Sequence, residues 1–196
     1  MPENTEHYLL SKQALQKIPG FKYHKGLMGK FEIPSFYSDI GQLDPPFLFL
    51  DGLTSAENMG VICRTASGFG VKNIILSADC THPFLRRSVR VSMGGIFDLN
   101  FIRVDDSQSS LMALKRRNIK VIGLEQDSRS IALSKITTED QNICLIVGSE
   151  DTGVRAEVLD SCDIIAEIGH TRSIDSLNVA QAATLGIYSL LTKSFK

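Results

Sequence analysis

The chain has 196 residues, of which 43% are hydrophobic and 22% charged, and its 21 basic and 22 acidic side chains leave a formal net charge of −1. This length supports one substantial core, or one domain of about 150 residues with a short appendage. No apolar run approaches the roughly 18 residues of a membrane helix, and "MPENTEHYLLSKQ" is not a charged-then-apolar leader, so a cytoplasmic protein without a membrane partner is expected. The near-zero net charge leaves nucleic acid open, because phosphate binding depends on a local basic patch.

Residues 1–45 read as an N-terminal appendage packed on the main domain. They carry a helix around "LLSKQALQKI", then the turn-rich "YHKGLMGKFEIPSFYSDIGQLDPP". From residue 46 onward, apolar β-branched runs alternate with amphipathic segments. "PFLFLDG", "VKNIILSA", "LNFIRV", "IKVIGLEQ", "NICLIVGS" and "DIIAEIG" predict strands, and the spacing predicts helices over 56–68, 84–93, 107–118, 155–161 and 177–193. Near-continuous apolar strands separated by helix-length segments indicate an α/β domain over 46–196, a parallel sheet with helices on both faces. Cys63, Cys80, Cys144 and Cys162 lie far apart with no C-x-x-C pair, which points to buried reduced thiols and no metal.

Three loops carry polar residues that a fold alone does not require. In "DGLTSAENMGVICRTASGFGV", Thr54 or Ser55 can cap a helix, and Glu57, Gly60 or Val61, and Arg64 share one stripe with Asn58 in the first turn. That stripe is either a solvated face or a surface open to close approach. In "ICLIVGSEDTGV", a buried strand runs into Gly148 and a tight loop bearing Glu150. The Lys-Ser/Thr of a P-loop is absent, and "SGFGVKN" does not complete a dinucleotide fingerprint. In "SIDSLNVAQAATLGIYSLL", Ser176 or Asn178 could cap the last helix, but a cap needs only one of them. Two short polar side chains around Leu177, after a strand, fit a ligand crevice at the carboxyl ends of the strands. Two basic clusters stand apart from these loops. Lys115, Arg116, Arg117 and Lys120 fit a solvated helix end, whereas Arg86, Arg87 and Arg90 fit either an exposed helix face or phosphate contacts.

In order and spacing, "SAENMGVICRTASGFGV", "LIVGSEDTGV" and "IGHTRSIDSLNVAQAA" resemble the three motifs of SpoU-type (TrmH-like) RNA ribose methyltransferases of the SPOUT superfamily, over roughly residues 46–193. The resemblance implies a parallel α/β domain with a C-terminal deep trefoil knot, a homodimer, S-adenosylmethionine as methyl donor, and a 2′-O-methylated ribose in tRNA or rRNA as product. By position it places the cofactor at Gly148, Ile168 and Leu177, with Leu124 beside them. It also places Asn58, Arg64, Glu150, Ser176 and Asn178 around the reacting centre, and turns Arg86, Arg87 and Arg90 toward RNA. Arg64 is a poor general base, since its pKa stays above about 12, so it suits alkoxide stabilisation or a grip on phosphate. The family commonly has Ile-Pro-Met where this chain has Ile168-Gly169-His170, and the loss of Pro predicts a looser loop before cofactor binds. A superfamily enzyme acting on an RNA base is the alternative within this resemblance, and an RNA-binding relative without catalysis is a further one. A doubly wound nucleotide-dependent enzyme lacks its glycine fingerprint.

Overall fold

The computed structural model describes residues 6–17, 29–30, 32–137, 142–169 and 176–191. The chain divides into two compact units, Met1–Pro34 and Ser35–Lys196. In the first, a short helix α1 (Lys12–Gln16) starts where the Ser11 hydroxyl accepts the Ala14 N–H at 3.1 Å. The predicted continuation of this helix to Ile18, and the glycines of "HKGLMGK", lie largely outside the described residues.

In the second unit, residues 35–45 are tied to the sheet. The Tyr37 N–H donates to the Phe101 carbonyl at 2.8 Å, and the Arg117 guanidinium donates to the carbonyls of Ile40 and Leu43, both at 2.8 Å. The strands follow in chain order: β1 (Phe47–Leu50), β2 (Asn73–Ser77), β3 (Asn100–Val104), β4 (Lys120–Leu124), β5 (Ile131–Ala132), β6 (Ile143–Val147) and β7 (Ile164–Glu167). Among the described residues they form one parallel sheet in the order β3-β2-β1-β6-β4-β7-β5. The two-residue β5 was not predicted, because a pair of residues carries no periodicity.

Alternation along β1 explains both layers. Leu48 and Leu50 join a core with α2 (Ala56–Gly68) and α6 (Val179–Leu191), while Phe47 and Phe49 join one with α4 (Ser107–Arg116) and α5 (Ala156–Leu159). Each fully buried Leu or Phe contributes about 1.5–3 kcal/mol. The helix predictions are trimmed at their ends by local chemistry. Helix α3 (Arg86–Val91) is shorter than expected, since Leu85 is extended and Met93 (φ 54°) and Gly94 (φ 92°) turn left-handed. Helix α4 stops before Asn118, which takes φ 59°. Cys63, Cys80 and Cys144 are buried, Cys162 is half-buried, and all four are free. Desolvation pushes the Cys63 and Cys162 thiols up to about 12. No helix among the described residues is long and apolar enough to cross a membrane.

The chain passes from β1 outward through β2 and β3, then returns to build the other half from β4, and β6 fills the gap between β1 and β4. In register, Leu50, Val147, Leu124 and Ala166 stand side by side. The residues after them therefore emerge along one edge, at the topological switch point where open α/β sheets hold ligands.

Candidate active site

The loop after β6 is closed on itself. Ser149 and Gly153 exchange two backbone hydrogen bonds, both 3.1 Å, and the Ser149 hydroxyl accepts the Thr152 N–H at 3.1 Å. A Cβ on Gly148 would lie 2.0 Å from the Gly153 carbonyl carbon, so only glycine permits this crossing. Two carboxylates brace the loop from outside. Glu125, just past β4, accepts the Val154 N–H at 2.8 Å and its neighbour Gln126's N–H at 3.0 Å. Asp51, just past β1 and buried, accepts the Arg155 backbone N–H at 3.0 Å and its Nε at 2.9 Å, with Nη2 on the same oxygen as Nε.

A second cluster joins three elements. The Ser55 hydroxyl caps α2 by accepting the Asn58 N–H at 3.2 Å, which sets the buried Asn58 in the first turn. Asn178 caps α6, its Oδ1 accepting the Ala180 N–H at 2.9 Å. With that oxygen committed, its Nδ2 faces inward and donates to Glu150 Oε1 at 3.0 Å and to Asn58 Oδ1 at 3.3 Å. Asn58 Nδ2 donates to the same Glu150 oxygen. Glu150 thus locks the starts of two helices to the loop after β6.

Two clefts meet beside this cluster. A narrow one of about 190 Å³ is lined by Leu124, Gly148, Ile168, Leu177, Glu125 and Glu150, among others. A broad one of about 790 Å³ runs between α2 and α6, past Glu57, Asn58, Val61, Asn178 and Gln181. Leu177 lines both. Ser176 opens onto the narrow cleft, exposed and without a hydrogen bond among the described residues. The arginines stand outside both clefts. Arg64 is exposed, two helical turns beyond Glu57 on its stripe, with no polar partner among the described residues. Arg87 pairs with Glu57 at 2.6 Å, Arg86 is exposed on the same helix, and Arg90 is exposed without a partner among the described residues. The side-chain-free position on that stripe, Gly60, does not await a ligand: a Cβ there would meet the Ser88 carbonyl oxygen at 2.6 Å, so it is α3 that approaches. His170, together with 171–175, lies outside the described residues. Among the described residues no cluster of His, Cys, Asp and Glu is placed to hold a metal ion.

A sequence model of the SpoU rRNA Methylase family matches residues 45–188. The chain belongs to that family. It is 30% identical over 187 residues to an uncharacterized tRNA/rRNA methyltransferase of Mycobacterium tuberculosis, covering 93% of this chain and 65% of that protein. The chain thus spans just under two thirds of this relative's length. It is 27% identical to the 23S rRNA (guanosine-2′-O-)-methyltransferase RlmB of Acinetobacter baylyi, over 91% of this chain and 75% of that one. Among solved structures, an AdoMet-bound rRNA methyltransferase from Sinorhizobium meliloti superposes with a TM-score of 0.72 at 26% identity, over 79% of this chain and 60% of that one.

Within this SpoU chain the residues that sequence reasoning missed are the braces. Glu125 ends "VIGLE" and Asp51 ends "FLFLD", both the first polar residue after an apolar strand. That position is the signal that could have found them, since it emerges at the ligand edge of a parallel sheet. Arg155, by contrast, carries no local sign of its partner about a hundred residues away.

Proposed function

We propose that the chain is an RNA methyltransferase that transfers a methyl group from S-adenosylmethionine to a ribose 2′-hydroxyl of tRNA or rRNA. The observation that carries this reading is the Asn58–Glu150–Asn178 cluster at the junction of a narrow cleft with a broad one, with Leu177 lining both. The narrow cleft fits the donor. It combines apolar walls from Leu124, Ile168 and Leu177 with the carboxylates of Glu125 and Glu150, and among the described residues its lining includes no Lys, Arg or His, as suits a cationic sulfonium. When bound, S-adenosylmethionine supplies an electrophilic methyl group.

The protein's own residues do the rest. Leu177 and Ile168 cover apolar ligand surface, and the Gly148 backbone offers close approach. Glu150 holds Asn58 and Asn178 in one orientation at the mouth, so their amides are prepositioned. Arg64 steadies the developing alkoxide or its neighbouring phosphate, where a planar bidentate cation is well suited. Ser176, with its free hydroxyl, relays the proton. Arg86, Arg87 and Arg90 face the RNA backbone. Support for ribose as the target comes from the RlmB relative, whose name specifies guanosine-2′-O chemistry.

The same reading includes a deep trefoil knot formed by the C-terminal segment, and action in the cytoplasm by a homodimer. Exposed Leu185 and Tyr188 on α6, the latter edge-on to Phe69 with ring centroids 5.9 Å apart, supply apolar surface for the twin. Residues 1–45 act as an appendage to the methyltransferase domain over 46–196.

The test is twofold. Calorimetry is expected to show S-adenosylmethionine binding that Leu177→Glu abolishes, and tritiated methyl should enter total RNA from cells lacking the enzyme. Nuclease digestion is expected to place the label on ribose. Label on a base would shift the reading to the base-modifying branch, and cofactor binding without transfer would leave an RNA-binding relative. Light scattering at micromolar concentration is expected to give twice the chain mass.

A further inference from the structure

We propose that Phe97 is a stacking platform for a nucleobase next to the modified nucleotide, set beside the arginines that grip the strand. This inference rests on the RNA reading above and names the contact by which single-stranded substrate would be held. Phe97 is 53% exposed, a large apolar surface to leave in water. One face of its ring is taken by Phe84, with centroids 5.9 Å apart and planes at 27°. Phe84 is itself backed by Phe101, edge-on at 5.5 Å. The ring therefore has a fixed inner face and an open outer one.

The turn that carries it, Gly95–Asp98, is anchored to α2 at Arg64. A Cβ on Gly95 would meet the Ser67 Cβ at 3.1 Å and the Arg64 Cα at 3.5 Å, and the Ser67 hydroxyl donates to Asp98 at 3.1 Å. On its other side the turn follows α3 through Met93, which is 75% exposed in a left-handed conformation. Arg64, whose Cα lies against Gly95 of the turn, and Arg90, at the end of the helix that leads into it, are both exposed and without polar partners among the described residues. Of the carboxylates nearby, Glu57 is paired with Arg87, and Asp98 accepts the Ser67 hydroxyl and forms no ion pair with Arg64 or Arg90 among the described residues. Charge decides the occupant. An apolar protein surface docked on Phe97 would desolvate arginines without pairing them, whereas an RNA strand offers phosphates to the cations and a π-face to the ring.

The chain contains no tryptophan, so Phe97→Trp installs a single indole reporter. Its fluorescence should be quenched by an oligoadenylate of about 12 nucleotides, within the usual range of single-strand site sizes, and not by an abasic ribose-phosphate strand of the same length. In the native background, Phe97→Ala should weaken oligoadenylate binding about tenfold or more and leave its salt dependence unchanged, since the phosphate contacts remain. Phe97→Tyr should restore binding and Phe97→Leu should not, which separates stacking from apolar bulk. Thermal unfolding of each variant checks the fold. An unquenched indole, or Phe97→Leu binding like the native protein, would overturn the proposal; so would loss of the dimer mass on Phe97→Ala, which would make the ring a subunit contact. Calorimetry with S-adenosylmethionine on the same variants keeps the two readings apart. Native cofactor binding with no Phe97 effect defeats only the platform, whereas no cofactor or RNA binding by the native protein defeats the methyltransferase reading as well.

Discussion

The loop end of the site and the arginine face of α2 and α3 are built on opposite plans. In the loop, nearly every group is committed: Gly148 and Gly153 cross at van der Waals limits, Glu125 and Asp51 hold backbone N–H groups, and Glu150 satisfies two amides at once. On the helix face, Arg64 and Arg90 have no polar partners among the described residues, and α3 starts without a side-chain cap. A site for a small cofactor gains from rigidity, because ordering is completed at folding rather than at binding. A face for a long flexible polymer gains from cations left in water, where they recruit phosphates without first breaking an internal pair.

The largest expected effect tests the rigid half. Arg155→Ala leaves the Asp51 carboxylate, whose side chain is wholly buried, without its cation. Stripping one partner from such a pair should destabilise the protein by about 3 kcal/mol, measured by urea unfolding. Next comes Arg64→Ala, which tests the open half. It should lower methyl transfer on the order of 10² while cofactor affinity stays within about threefold, and Arg64→Lys should restore little because a point charge lacks the planar fork. Equal losses in binding and transfer would erase the contrast between the two regions. Glu125→Ala should weaken cofactor binding by roughly tenfold in calorimetry, since the Val154 N–H loses its acceptor and the loop its brace.

The smallest effect concerns Asp79 near the carboxyl end of β2. The Ser77 hydroxyl donates to it at 2.6 Å and holds its carboxyl below the usual range, with Arg155 and Arg103 adding to the shift. A carboxyl lowered on folding stabilises above its unfolded value of about 3.9 and loses that contribution as pH falls through the lower folded value. The gap in urea midpoint between the native chain and Asp79→Asn should therefore be present at neutral pH and close in acid.

Periodicity sufficed for much of the fold. The six apolar runs became β1–β4, β6 and β7, and α2 spans its predicted 56–68, because these segments are buried strongly enough for one pattern to dominate. Helix ends were less legible where a single residue decides them, as Met93 does after α3 and Asn118 after α4. At the site, Asn58, Glu150 and Asn178 were legible through the family resemblance of their three motifs. The question of why Ser-Leu-Asn holds two polar residues is answered in part by Asn178, which caps α6 with its oxygen and reaches Glu150 with its nitrogen. For Gly60 the sequence leaves two readings open, since nothing local reveals that another helix of the same chain fills the space above a glycine. Order along the sheet was equally hidden, because pairing between distant strands leaves no local trace.

That order has a consequence during synthesis. β1 gains its neighbour β2 after about twenty residues, but its other edge stays open until β6 emerges roughly a hundred residues later, some 5–20 s at about 5–20 residues per second. Through that interval the nascent chain carries a bare apolar strand edge at what will become its centre, with Asp51 exposed and no Arg155 yet made. The last strand placed in the middle of the sheet is also the one whose loop carries Gly148 and Glu150. The narrow cleft is therefore among the last parts of the molecule to exist, and a ribosome-bound chain stopped before residue 143 has Arg64, Arg86, Arg87 and Arg90 but none of the loop that carries Gly148 and Glu150.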